Sequence, residues 1–182
     1  MDQLPDERQC GLMEFFDSHC HLDPMRYGDD LPAVLQRARA AGVRFMHVIG
    51  TRAADSAAAA DLAEREEGLT ASAGIHPNDA ADADDAEWEQ VVRLVESGRV
   101  QAVGETGLDW YRDTAPPDLQ RALFDRHIRL AQKTGLPLVI HTRESTDDVL
   151  AMLKDKRIGE VPVVDEAGGF LGMADLKGLV AL

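Results

Sequence analysis

Aromatic residues make up only 5% of the 182-residue chain, and there are two cysteines, Cys10 and Cys20. Two thiols cannot build a disulfide framework, so a reducing, cytoplasmic setting is expected. No run approaches the roughly 18 apolar residues of a membrane helix, so no membrane partner is expected. Positive charge is scarce: 19 Lys and Arg stand against 33 Asp and Glu, a formal net charge of -14. So acidic a chain lacks a broad basic face for holding nucleic acid by charge alone, although a metal centre can invert the field locally and bind phosphate. The opening Met-Asp-Gln-Leu-Pro-Asp-Glu-Arg is acidic and polar, unlike a secretory signal or a basic transit peptide. What is present suits one globular domain: 45% apolar and 29% charged residues are enough for a core, in a chain too short for two ordinary domains.

Residues 1–14 read as a flexible leader, 15–155 as an alternating unit and 156–182 as a module of another kind. The expected strands are Phe15–His19, Val43–Ile49, Leu69–Gly74, Val100–Gly104 and Leu138–His141. Each precedes a stretch with helical spacing: Leu31–Ala41, Ala53–Glu66, Asp85–Ser97, Pro117–Thr134 and Thr146–Asp155. Asp30 before Leu31-Pro32 supplies an N-cap signal, Gly42 a stop, and Gly135 with Pro137 the end of the fourth helix. The Ala/Asp-rich stretch 78–86 reads as a solvated loop. Strand then helix, five times over, predicts an α/β fold of parallel strands, apolar throughout because helices cover them. The rhythm changes after Asp155. Val161–Val164, the turn Asp165–Gly169 and Phe170–Met173 read as a β-hairpin, and Leu176–Leu182 as a last short helix.

The strongest chemical signal is Asp17-Ser18-His19-Cys20-His21-Leu22-Asp23, where the first strand ends. Histidines at i and i+2 on extended chain project to one side, so a single divalent ion can take both imidazoles. Cys20 points the other way and reads as a small buried residue rather than a ligand. Glu105, in Gly104-Glu105-Thr106-Gly107-Leu108-Asp109, falls at the end of the fourth strand, and His141 at the end of the fifth. The C-terminal ends of parallel strands are where α/β folds build their sites. Three His and one Glu there suit a hydrolytic centre of Zn²⁺ or Mn²⁺ type. With its two oxygens, Glu105 can bridge two ions. Its bland alternative is an ion pair with Arg112 or Arg143.

Four motifs carry a resemblance: Asp17–Asp23, Gly-Ile-His-Pro at 74–77, Gly-Glu-Thr-Gly-Leu-Asp-Trp-Tyr-Arg at 104–112, and Pro-Leu-Val-Ile-His-Thr-Arg-Glu-Ser at 137–145. In this order they resemble the TatD family of metal-dependent hydrolases over residues 15–153. The resemblance implies a (β/α)₈ barrel and two divalent ions (Zn²⁺, Mn²⁺ or Mg²⁺). It also implies phosphodiester hydrolysis by metal-activated water, typically as a 3′-to-5′ deoxyribonuclease on DNA. His19 and His21 match ligands of one ion, Glu105 the bridging catalytic carboxylate, and His141 a ligand of the other. His76 ends the third strand at the same mouth, where a substrate or proton-transfer role stands beside a structural one. Asp109, Trp110, Tyr111 and Arg112 follow Glu105 and can shape a substrate pocket. Trp110 offers a base-stacking surface or plain packing. Arg143 sits where a cation meets a substrate phosphate or forms a salt bridge.

The family barrel takes eight strand–helix units, and this chain supplies five. The later ligands that the resemblance implies, a His after the sixth strand and an Asp after the eighth, have no counterpart, since no His follows His141. Weaker metal retention is expected, with open sheet edges that invite a homo-oligomer. Residues 157–182 resemble the second half of a CBS domain, a module that binds adenine nucleotides in pairs, with Gly178 where a ribose-binding Asp often stands. A second reading is therefore an inactive fragment that binds a nucleotide through this tail. A third keeps the metal cluster but turns it on an ester or amide.

Overall fold

The computed structural model describes residues 14–156, 160–164 and 170–175. The five apolar runs become strands β1 (Phe15–Cys20), β2 (Val43–Val48), β3 (Leu69–Ala73), β4 (Ala102–Asp109) and β5 (Leu138–Arg143). A short helix α1 (Pro24–Tyr27) leads into α2 (Leu31–Ala40). Then α3 (Ala53–Arg65), α4 (Asp85–Glu96), α5 (Pro117–Thr134) and α6 (Thr146–Asp155) alternate with the strands. The sheet order is β1-β2-β3-β4-β5, and every neighbouring pair is parallel. Consecutive order without reversal is the arrangement of a (β/α) barrel, whereas a doubly wound sheet reverses at a switch point. The sheet is thus a five-unit arc of such a barrel. Its strands all end on one rim.

Local chemistry explains the element ends. Pro117 stands in the first turn of α5, and Gly135 closes that helix with φ +74°. The Asp84 carboxylate caps α4 by accepting the Glu87 amide at 2.7 Å. Asp55 accepts the Thr51 and Arg52 amides at 3.1 and 2.6 Å at the start of α3. Asp30 does not act as the expected cap. The chain before it already turns through Gly28–Asp30, so Asp30 has helical backbone and its side chain makes no cap bond.

β4 also runs further than expected, to Asp109. Gly104, where the expected strand ends, and Gly107 both take φ +140°. A Cβ at Gly104 would strike the Val139 carbonyl, and one at Gly107 the His141 carbonyl. Glycine lets β5 lie close enough for the strand to continue. Glu105 consequently sits inside β4 rather than at its end.

The helix-covered, wholly buried strand is realised at β4, between β3 and β5: all eight of its residues are buried. It fails at β1, where Phe15 and Phe16 are 48% and 60% exposed. Among the described residues β1 and β5 each have one strand neighbour, and β1 is the barer edge. The main core joins Val91, Val95, Leu62, Ala71, Ala73 and Val103, and a second cluster joins Leu108, Phe124, Ile128, Val149 and Leu153. No helix among the described residues is long and apolar enough to cross a membrane. The expected hairpin is present as antiparallel β6 (Glu160–Val164) and β7 (Phe170–Asp175). Residues 1–13 with Cys10, the turn Asp165–Gly169, and Leu176–Leu182 with Gly178 lie outside the described residues.

Two histidines belong to the framework. His127, fully buried in α5, accepts the Ile75 amide at Nε2 (3.0 Å) and donates from Nδ1 to the Leu123 carbonyl (2.8 Å). His47 shares a 2.7 Å hydrogen bond with Thr70. Burial pushes both down to about 4. The unfolded chain takes up protons below about pH 6.5 that the folded chain refuses, so stability is full above that pH and falls towards pH 4. For His127 alone the loss reaches roughly 3 kcal/mol. Urea unfolding of the wild type is expected to weaken clearly between pH 7 and 5, and His127→Gln to weaken less over the same interval. An unchanged slope in the variant would contradict the assignment.

Candidate metal centre

Four segments supply the cluster. His19 lies in β1 and His21 just beyond it; Glu105 is in β4, His141 in β5, and His76 follows β3. The segment after β2 ties the rim together: the Gly50 carbonyl accepts the Glu105 amide at 2.7 Å, and the Thr51 carbonyl accepts the His76 amide at 2.8 Å. Period-two alternation aims Glu105 and Asp109 to one side of β4, and His141 and Arg143 to one side of β5.

Glu105 is the centre. Its side chain is 8% exposed, and each oxygen faces a different pair of histidines. Oε2 lies 3.5 Å from His19 Nε2 and 3.9 Å from His21 Nε2. Oε1 lies 3.2 Å from His141 Nδ1 and 4.0 Å from His76 Nε2. Burial opposes its charge, but hydrogen bonds from His141 and His19 outweigh burial and hold the carboxyl far below the usual carboxylate range. Neither Arg112 nor Arg143 pairs with it.

His141 has a carboxylate at both ring nitrogens, since Nε2 lies 3.0 Å from Asp109 Oδ2. Burial disfavours its cation, yet the bonds to Glu105 and Asp109 prevail and raise its pKa. A metal ion replacing the Nδ1 proton would leave Nε2–H on Asp109, the carboxylate–histidine–metal arrangement that orients ligating imidazoles. His76 behaves differently. Burial pushes it down to about 4, so it is neutral at pH 7. Its Nδ1 accepts the Asn78 amide at 3.1 Å, which leaves the proton on Nε2, the nitrogen that faces the cluster. His76 is therefore built as a hydrogen-bond donor.

Two groups bring ligand atoms within 4.8 Å of one another: His19, His21 and Glu105, and His76, Glu105 and His141. The first fits a borderline-soft divalent ion, with two imidazoles and a carboxylate oxygen. In the second, the tautomer leaves Glu105 and His141 as the groups able to ligate. Cys20 stays outside both: its thiol donates to the His47 carbonyl at 3.3 Å, and burial, aided by Asp17, pushes it up to about 12.

The remaining candidates divide. Asp109 is buried behind the cluster, not on a substrate surface; besides His141 it accepts the Tyr111 and Arg112 amides at 3.0 and 2.9 Å. Trp110 is packed, its Nε1–H on Asp148 at 2.8 Å and its ring under the Arg121 guanidinium at 5.2 Å. Arg112 and Arg143 are exposed on the rim, and the charge of Arg112 is felt at His76. In the sequence the only signal of the brace formed by Asp109 is the four-residue spacing that puts it on the Glu105 side of β4. Asp109→Asn is expected to weaken Mn²⁺ binding about 10- to 100-fold by titration, because one amide oxygen cannot serve both His141 and the loop amides. Unchanged affinity would contradict a bracing role.

The family model described as TatD related DNase matches residues 16–165. "Uncharacterized metal-dependent hydrolase YabD" of Bacillus subtilis is 36% identical over 141 residues, covering 78% of this chain and 55% of that protein. "3'-5' ssDNA/RNA exonuclease TatD" of Klebsiella pneumoniae is 35% identical over 139 residues, covering 76% and 53%. Among solved structures, the TatD homologue YJJV of Escherichia coli superposes with a TM-score of 0.73 at 36% identity, over 78% of this chain and 55% of that one. The chain thus spans about half the length of these relatives, and the structural match confirms the partial barrel. The match over most of the chain, motifs included, makes it a member of the TatD-related DNase family.

Proposed function

We propose that this chain is a metal-dependent hydrolase of phosphodiester bonds that removes nucleotides from the 3′ end of DNA. The observation that carries the reading is one buried carboxylate with an oxygen in each of two histidine groups. His19, His21 and Glu105 would hold one divalent ion, and Glu105 with His141 a second, the ions being Zn²⁺, Mn²⁺ or Mg²⁺. When bound, such ions supply Lewis acidity towards a phosphoryl oxygen and make water acidic enough to attack near neutral pH.

The chain's own residues do the rest. Glu105 stays ionised and fixes both histidine groups. Asp109 holds His141 in one orientation. His76 presents Nε2–H at the cluster, where it can donate to a phosphoryl oxygen and remain neutral throughout the physiological range. Arg112 and Arg143 bring positive charge to the rim of a chain whose formal net charge is -14. A phosphodiester is the electrophile whose charge these cations match, whereas a neutral ester or amide would leave them unused.

The test is cleavage of a 5′-labelled single-stranded oligodeoxynucleotide with Mn²⁺. A ladder shortening from the 3′ end is expected, abolished by EDTA and reduced roughly a hundredfold or more by Glu105→Gln. Equal cleavage by the variant would overturn the reading.

A further inference from the structure

On the rim beside the cluster, the guanidinium of Arg143 lies 3.9 Å from the centre of the Tyr111 ring. Tyr111 is 59% exposed and, unlike the exposed Phe15, Phe16 and Phe45 among the described residues, it carries a cation against its ring. The pair is held from behind on several sides. Asp109 Oδ1 accepts the Tyr111 amide while Oδ2 holds His141. The Trp110 amide donates to the Arg143 carbonyl at 2.9 Å. Ser145 Oγ accepts the Arg143 amide at 3.2 Å and donates to the Leu108 carbonyl at 2.7 Å. Among the described residues Arg143 forms no salt bridge, although acidic residues outnumber basic ones 33 to 19. The neighbouring Trp110 is the reverse case, tied to Asp148 and Arg121.

We propose that Tyr111 and Arg143 form a platform on which one unpaired nucleobase of a single-stranded nucleic acid stacks, with the guanidinium edge left for the adjoining backbone phosphate. The inference rests on the phosphodiester reading above and extends it to how the strand is held. A flat aromatic face is sequence-tolerant, since every base has a π-face. A guanidinium stacked on that face keeps its N–H edge for a phosphate. Free phosphate or a simple diester would use the arginine alone. Duplex ends keep their bases paired and cannot reach the ring. Asp109 sets the spacing, because one carboxylate grips both the ligand-side His141 and the amide of Tyr111. A base on the platform therefore lies next to the phosphate at the cluster.

Binding of two phosphorothioate-linked oligothymidylates, which resist cutting, tests this by fluorescence anisotropy in Mn²⁺. One strand is intact and the other carries abasic residues at its 3′ end. The wild-type chain is expected to prefer the intact strand about tenfold or more. Tyr111→Ala should bring the two strands to equal affinity, and Tyr111→Phe should keep the preference. Arg143→Ala should weaken both strands and lower the salt slope by about one. A wild type that shows no preference, or a preference that survives Tyr111→Ala, would overturn the platform. A wild type that prefers the intact strand yet cuts no ordinary oligonucleotide keeps the platform and removes the nuclease reading.

Discussion

A single ionised carboxylate buried under the rim organises the rest of the structure. Removing a carboxylate from water is expensive unless charge and hydrogen bonds are brought to it. Glu105 is satisfied by histidines from three other segments, and those segments must converge for the fold to tolerate it. The constraint reaches into the backbone. Gly104 and Gly107 flank Glu105 in β4 with conformations that bring the β5 backbone against it, and that approach delivers His141 to its oxygen. The motif Gly-Glu-Thr-Gly is thus a packing requirement as much as a chemical one.

Around this centre lies a layer of carboxylates that supports the cluster from behind. Arg52 grips Glu87 through Nε and Nη2 at 2.9 and 2.5 Å and reaches Asp79 at 3.4 Å. It thereby joins the start of α3 and the first turn of α4 to the turn that carries His76. Glu87 also accepts the Ala53 amide. On the other side Asp109 binds His141 to the loop of Tyr111 and Arg112. The site is therefore braced by carboxylates at two levels. This explains how so acidic a chain can present positive charge at one rim: the acids near the site are already engaged.

Much of this was legible from the sequence. The alternation of apolar runs with helical spacing located all five units, and α5 and α6 have the expected bounds because Pro117, Gly135 and the Thr146 start are local signals. His-x-His, with Glu105 and His141 expected at the C-terminal ends of their strands, identified the cluster, although both lie inside β4 and β5 rather than at their ends. What could not be read depends on partners distant in sequence. The strand expected to stop at Gly104 runs on to Asp109 because Gly104 and Gly107 let β5 lie against it. Asp109 looks like a polar loop residue until His141 meets it. The role of His76 turns on which nitrogen the Asn78 amide occupies. The exposure of Phe15 and Phe16 depends on what packs against β1 from elsewhere in the chain, which no local pattern encodes.

The central claim is that one carboxylate is shared between two metal ions. Electron paramagnetic resonance of the Mn²⁺-loaded protein tests it most directly, because two Mn²⁺ ions bridged by a carboxylate are exchange-coupled. A coupled spectrum that disappears in Glu105→Ala is the expected result. A spectrum of isolated Mn²⁺ at full loading, or a coupled one that survives loss of Glu105, would contradict the shared carboxylate and the reading built on it.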